Sequence, residues 1–333
     1  MKKNNILRSP IFISATIIVS FFIGCEEPDP EQTGYIPIVP QDTFPDLGHD
    51  GPYFEDSIYF GRNNYIEYHS GTIPIILSAT HGGWIEPDEI PDRTEGTTVT
   101  DINTYQLTKV IMDTLESHFG GKPHVILCLL ERLKLDANRN INDASDGNIY
   151  AERAWKEYHH YIDVAKELVA INYGSGILFD IHGHGENPDG FYDLRTWLGY
   201  LISGNDLDLP DEDLNSVVFK NQSSIRILAD TSSFSFINIL RGETSFGTLM
   251  DSLGYACVPS VNDPGPAGLR YFSGGYITDR HGSSDGSAIS AIQVELPQPG
   301  IRDTGENWSR YASAFAKVLD AYYKFHMGKD LEL

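Results

Sequence analysis

Ile75-Ile76-Leu77-Ser78-Ala79-Thr80-His81-Gly82-Gly83-Trp84-Ile85-Glu86 is an apolar run that stops at a histidine, two glycines and, within one loop, a glutamate. Ile75, Ile76 and Leu77 in succession read as a strand buried on both faces, the kind found in parallel sheets. Gly82 and Gly83 allow a backbone path closed to residues with a side chain. A histidine and a carboxylate at the carboxyl end of a parallel strand sit where open α/β sheets place their ligands. His81 and Glu86 are therefore expected to be two of three protein ligands to a catalytic metal ion.

The sequence outward from this strand alternates in type. Upstream, 58–68 reads as a β-hairpin turning at Gly61-Arg62-Asn63-Asn64. Downstream, Asp101 can cap a helix to about residue 118, with Leu107, Val110, Ile111 and Leu115 on one face and Gly120-Gly121 at its end. A strand at 124–130, an amphipathic helix at 150–172 and a strand at 176–181 running into Asp180-Ile181-His182 follow. The middle, 185–287, is irregular, with short helices near 223–230 and 245–253, and is expected to build substrate loops. A last strand at 288–296 carries Glu295 at its end. A closing helix at 306–325 buries Tyr311, Phe315, Val318, Leu319 and Tyr322. Strand and helix in alternation predict an α/β fold: a parallel sheet with helices on both faces.

The 333 residues, 41% hydrophobic, are enough for a sizeable core. A formal net charge of −23 excludes nucleic-acid binding through a basic surface and favours small molecules, peptides or cations as partners. At the N-terminus, Lys2, Lys3 and Arg8 precede an apolar run at 11–23, too short to span a bilayer comfortably. It ends Phe22-Ile23-Gly24-Cys25, which resembles a bacterial lipobox. Residues 1–24 are thus expected to be a lipoprotein signal peptide and Cys25 the lipidated residue. Residues 25–46, rich in Pro and acids, would be a disordered tether, and 47–333 the catalytic domain. The location implied is the cell envelope, lipid-anchored to a bacterial membrane. Cys128 and Cys257 read as buried thiols, neither having a Cys or His at ligand spacing.

Three strand ends carry reactive side chains far apart in sequence: His81 with Glu86, His182, and Glu295. Zinc takes imidazole nitrogen and carboxylate oxygen, three protein ligands in a catalytic site and one open position. His81, Glu86 and His182 supply such a set for one Zn²⁺. Glu295 is left free as a general base towards water attacking a carbonyl, and Asp180 can orient a ligand imidazole from behind. In Asp136-Ala137-Asn138-Arg139, Arg139 can hold a substrate carboxylate in a bidentate pair with Asn138 donating beside it, or form a surface ion pair. His184 is a candidate pocket residue or substrate contact. In the aromatic, Gly-containing stretch 271–281, Tyr276, Arg280 or His281 could stabilise an oxyanion, the alternative being a Gly-rich turn with a surface histidine. Gly282-Ser283-Ser284-Asp285-Gly286 fits the pattern of a nucleophile elbow around Ser284, but no strand leads into it.

Taken in order, His-Gly-Gly-x-Ile-Glu at 81–86, Asp-x-Asn-Arg at 136–139, Asp-x-His at 180–182 and Glu-Leu at 295–296 resemble the zinc carboxypeptidase-like superfamily. Within it the set is similar to the N-formylglutamate amidohydrolase branch, where Pro-His-x-Gly, Asp-Leu-Asn-Arg and Asp-x-His occur in this sequence order. It is also similar to the poly-γ-glutamate hydrolases, where His-Gly-Gly-Gly-Ile-Glu carries two zinc ligands. Glu295-Leu296 followed by Arg302-Asp303-Thr304-Gly305 resembles the Glu-Leu-Arg-Asp-Thr-Gly of carboxypeptidases, with five residues inserted here. Thr80 stands where a proline is usual. The resemblance covers roughly 75–303, leaving 185–288 unmatched. It implies a three-layer fold with a mixed, mostly parallel sheet of about eight strands between helices, one zinc ion, and hydrolysis of an amide. The metal carboxylate is Glu86 by the Ile-Glu pattern, with Glu89 and Asp101 as alternatives. The substrate expected is an N-acyl amino acid, peptide or γ-glutamyl amide bearing a carboxylate. The competing reading is a non-catalytic, surface-anchored binding lipoprotein on the same scaffold.

Overall fold

The computed structural model describes residues 52–186 and 190–331, so the signal segment, Cys25 and the tether lie outside the described residues. A hairpin of β1 (Ile58–Phe60) and β2 (Ile66–His69) leads into β3 (Ile75–Ala79). Helix α1 (Thr104–Phe119) crosses to β4 (His124–Cys128), and the long α2 (Ile149–Tyr173) crosses to β5 (Gly176–Gly183). Then come β6 (Thr196–Gly199), β7 (Cys257–Val258), the short α3 (Tyr276–His281), β8 (Ile289–Leu296) and the closing α4 (Gly305–Met327). The eight strands form one mixed sheet in the order β1-β2-β4-β3-β5-β8-β6-β7. Its centre, β4-β3-β5-β8, is parallel; β1, β2 and β6 join antiparallel, and β7 runs parallel to β6.

Alternation along the central strands makes two unlike faces. On β3 and β5, Ile75, Leu77 and Ala79 with Ile177, Phe179 and Ile181 turn to one side and join Leu107, Ile111 and Leu115 of α1 and Tyr311, Phe315 and Leu319 of α4 in the main core. The intervening positions, Ser78 and Asp180 among them, face α2, whose Tyr158 hydroxyl lies 3.0 Å from Thr80 Oγ1. Strands read from sequence as apolar and covered on both faces thus carry polar side chains on one of them, and on β5 that side continues upward into His182. Because β4, β3, β5 and β8 are parallel, their carboxyl ends share one edge of the sheet.

Several elements differ from the sequence reading. β6 and β7 lie inside the stretch expected to be irregular; four and two residues long, they carry too few positions for a period to show. Helix α1 begins at Thr104 after Asn103, which takes a left-handed φ of 68° and makes no side-chain cap. Asp101 does not cap this helix; its carboxylate points elsewhere. Cys128 and Cys257 are buried free thiols.

Candidate active site

At the shared carboxyl edge, His81 follows β3 and His182 closes β5. The 20-residue excursion after His81 returns to the same edge, where the Asp101 N–H donates to the His81 carbonyl at 3.0 Å. That bond sets Asp101 beside both histidines. His81 Nδ1 and His182 Nδ1 are 3.1 Å apart, and Asp101 Oδ2 is 3.4 Å and 3.3 Å from them. All three residues are buried, and together they could hold a metal ion.

The opposite nitrogen of each ring is already engaged. His81 Nε2 donates to Asp136 Oδ1 at 2.6 Å, and His182 Nε2 donates to Asp180 Oδ2 at 2.6 Å. A carboxylate only accepts, so Nε2 carries a proton on both rings and Nδ1 of each faces inward. Without an ion those Nδ1 atoms meet Asp101 Oδ2; with both rings neutral, two lone pairs and a carboxylate oxygen would converge on one point, a place for a cation. The pKa directions show the same demand. Burial works against charge on His182, yet Asp180, Asp101 and Glu295 outweigh it and hold its pKa well above the ordinary imidazole value. Burial likewise opposes ionisation of Asp101 and Asp136; hydrogen bonds from His182 and His81 outweigh it at Asp101, and His81, Arg132 and Arg93 outweigh it at Asp136.

The supporting carboxylates are themselves fixed. Asp180 Oδ1 accepts from Ser78 Oγ at 2.6 Å. Asp136 Oδ2 accepts from Arg132 Nε and Nη2, both at 3.2 Å, and the same guanidinium reaches Asp101 Oδ1 at 3.4 Å. Arg132 thus ties a ring-orienting carboxylate to the one between the two histidines; sequence reading missed it, the available signal being its i,i+4 spacing from Asp136. Outer carboxylates that orient imidazoles raise metal affinity roughly 10–100-fold. Asp180→Asn is expected to weaken metal binding by about that factor, measured by competition with a chromogenic chelator; unchanged affinity would show that the Asp180 charge does not serve the site.

Glu295 stands in register with His182 across the β5–β8 ladder, so both side chains rise from the same face of the sheet. It is 6% exposed, and burial, helped by the charge of Asp101, pushes its carboxyl up to about 7. Glu295, His81, Asp101 and His182 line a cavity of about 500 Å³. Arg302, 3% exposed, closes its floor: Nε donates to the Leu296 carbonyl at 3.0 Å, Nη2 to that of His184 at 2.9 Å, and Nη1 to that of Ile102. A Cβ at residue 183 would lie 2.2 Å from the Arg302 Cζ, so a side chain there would displace this guanidinium from its carbonyls.

Of the carboxylates named from sequence, the structure brings Asp101 to the histidines and places Glu86 and Glu89 elsewhere. Gly83 packs against the strand beyond β4, where a Cβ would lie 2.3 Å from the Leu130 carbonyl oxygen. The chain therefore runs alongside 129–131, with Trp84 and Ile85 N–H groups donating to the Leu129 carbonyl, and carries Glu86 out to the surface beside Glu131. Glu89 pairs with Arg62 and accepts from the Tyr65 hydroxyl at 2.6 Å. Asn138 and Arg139 line the cavity, as does His184. Asn138 is held by the Ile277 N–H at 2.8 Å, while the half-exposed Arg139 keeps its Nε 3.9 Å from Asp136 Oδ2. Tyr276, Arg280 and His281 do not line the cavity. Of the stretch read as a loop, the first half does line the cavity with Phe272, Gly274 and Gly275, while 276–281 is the helical turn α3, whose side chains pack on α2: Tyr276 against His159, Arg280 over Trp155, and His281 Nε2 at 2.8 Å from His159 Nδ1. Ser284 lies in the turn after α3 and likewise outside the cavity, with no strand leading into it.

No protein-family model matches this chain, and no curated protein sequence does. Among solved structures, the chain is similar to the N-formylglutamate amidohydrolase of Ralstonia eutropha JMP134, with 11% identity over 77% of this chain and 95% of that one and a TM-score of 0.48. It is similar to a gene product of Agrobacterium tumefaciens, with 10% identity over 77% and 93% of the two chains and a TM-score of 0.45. A third similar structure is the catalytic domain of the N-acetylmuramoyl-L-alanine amidase CwlV from Bacillus (Paenibacillus) polymyxa var. colistinus, with 9% identity over 76% and 99% and a TM-score of 0.32.

Proposed function

We propose that this chain is a zinc-dependent amide hydrolase in which His81, Asp101 and His182 hold the ion and Glu295 is the general base. The observation that carries the reading is the inward triangle of Nδ1, Nδ1 and Oδ2 with sides of 3.1, 3.3 and 3.4 Å. A tetrahedral ion bonded to nitrogen and oxygen at about 2.0–2.1 Å keeps its ligand atoms about 3.3 Å apart. The triangle fits that spacing, and the donor set, two neutral imidazoles and one carboxylate with one position open, suits zinc. When bound, zinc supplies Lewis acidity and brings the pKa of water down to about 7.

The residues of the chain divide the remaining work. Asp136 and Asp180 hold the two rings in the tautomer that offers Nδ1. Glu295, in register with His182 and itself fixed by the Gln293 amide at 2.8 Å, takes a proton from water at the site and returns it to the departing nitrogen. Arg139 at the wall of the cavity offers a guanidinium to a carboxylate near the cleaved bond. The substrate class is an N-acyl amino acid, peptide or γ-glutamyl amide. Read as a lipoprotein signal, the N-terminal segment would put this activity at the cell envelope.

The test is elemental analysis of the purified full chain, followed by a screen against N-acyl amino acids, γ-glutamyl peptides and cell-wall peptides. One zinc per chain, with hydrolysis lost on chelation and regained on adding Zn²⁺, is the expected result. A chain with no affinity for zinc would instead be a binding protein on this scaffold.

A further inference from the structure

Asp136, Asn138 and Arg139 all serve the site, Asp136 on His81 and the other two at the cavity wall. They belong to one short turn of the chain, and that turn is held from behind. Trp155 Nε1 donates to the Arg139 carbonyl at 2.9 Å, and His159 Nε2 donates to the Ala137 carbonyl at 3.1 Å. Trp155 and His159 are four residues apart on α2, so both side chains leave the same face of the helix. From α3, the Ile277 N–H holds the Asn138 side chain. His159 is buried. Burying an imidazole costs free energy unless its nitrogens are bonded, and an apolar side chain would pack there without that cost. Here both nitrogens are bonded. Burial above all holds the His159 pKa well below the ordinary imidazole value, so the ring is neutral and carries one proton. A carbonyl only accepts, so that proton sits on Nε2, and Nδ1 accepts from His281 Nε2 at 2.8 Å. His281 in turn has its Nδ1 3.2 Å from Asp163 Oδ1.

We propose that His159 and Trp155 are positioning residues of the active site, each holding one carbonyl of the 136–139 turn, and that His281 sets the tautomer in which His159 donates. The proposal rests on the hydrolase reading above. The two donors act at different points. Ala137 directly follows Asp136, so the His159 bond fixes the carboxylate that keeps the His81 ring turned with Nδ1 inward. The Trp155 bond fixes the backbone of Arg139, whose half-exposed side chain depends on that backbone for its place at the wall. His159 therefore bears on the ion and Trp155 on the substrate carboxylate. A residue one step behind a ligand or a substrate contact still sets its geometry, and small misplacements there are costly.

The experiment compares His159→Asn, His159→Gln and Trp155→Phe in the full chain. The glutamine amide reaches where the ring places Nε2 and keeps a donor for Ala137. The asparagine amide reaches only as far as Nδ1 and keeps the His281 contact alone. Zn²⁺ affinity is measured by chelator competition, KM and kcat on the best N-acyl amino acid, and the fold by Tm. In the metal-free chain, proton NMR follows the His81 Nε2–H held by Asp136, identified by its absence in His81→Phe. His159→Asn is expected to weaken zinc about three- to tenfold, the size of one hydrogen bond, and to lose the His81 signal while KM stays put. His159→Gln should restore both. Trp155→Phe should raise KM by about the same factor with zinc affinity and kcat unmoved. A fold merely loosened would lower Tm and move zinc affinity and KM together in every variant; that result overturns the proposal, as does a His159→Gln chain that behaves like His159→Asn. Should His159→Asn fail to fold, Trp155→Phe decides alone: KM unchanged overturns the proposal. A parent chain that binds no zinc, with the His81 signal kept in His159→Gln and lost in His159→Asn, would keep the positioning and remove the hydrolase reading instead.

Discussion

Asp101→Ala is expected to strip the chain of tightly held metal and reduce hydrolysis to background, whereas Glu86→Gln should leave both unchanged. The two carboxylates are equivalent candidates by residue type, so the pair of variants isolates position. Among the described residues, Asp101 Oδ2 is the carboxylate oxygen within ligand spacing of both inward imidazole nitrogens, and it also accepts from the Gly183 N–H at 3.1 Å. Removing one of three ligands should cost more than the roughly 10–100-fold lost with an orienting residue. Asp101→Asn, which keeps the shape and the Gly183 bond, separates loss of the ligand charge from local collapse. Metal content after gel filtration is the measurement. Metal retained in Asp101→Ala but lost in Glu86→Gln would return the ligand to the loop after Gly83.

Glu295→Gln should behave in the opposite way: metal retained, turnover lost. A general base contributes about 10²–10⁴ to rate, and kcat is expected to fall by that factor with KM little changed. Glu295 lies one strand from His182 and outside the ligand triangle, so the substitution leaves the triangle intact. The amide can accept from Gln293 Nε2 as the carboxylate did, so the variant should fold. Turnover near that of the parent would mean that another group takes the proton from water.

How far the chain could be read in advance follows from how local each feature is. The parallel centre of the sheet was legible because β3 and β4 are nearly continuous apolar runs and β5 and β8 are mostly apolar ahead of their polar ends, as suits strands covered on both faces. His81, His182 and Glu295 were legible as strand-end residues for the same reason. Asp101 could be named only as an alternative to Glu86, because nothing within a few residues marks it. Its neighbourhood reads as a helix start, and its place depends on an excursion of twenty residues closing on the His81 carbonyl. Glu86 misled for the complementary reason: the motif is local, but the direction the chain takes after Gly83 is decided by contact with 129–131. Tyr276, Arg280 and His281 have the side chains of an active-site loop, and only the helical turn of α3 turns them towards α2.

The guanidinium of Arg302 also sets an order of assembly. It grips carbonyls from three distant segments, at Ile102, His184 and Leu296, and Asn103, two residues past the Asp101 carboxylate, donates to the Arg302 carbonyl at 2.7 Å. A ribosome that has made both histidines and Asp101 has still to make the residue that locks their supporting loops together. The proposed site is therefore not braced on all sides until Arg302 itself has been added to the nascent chain.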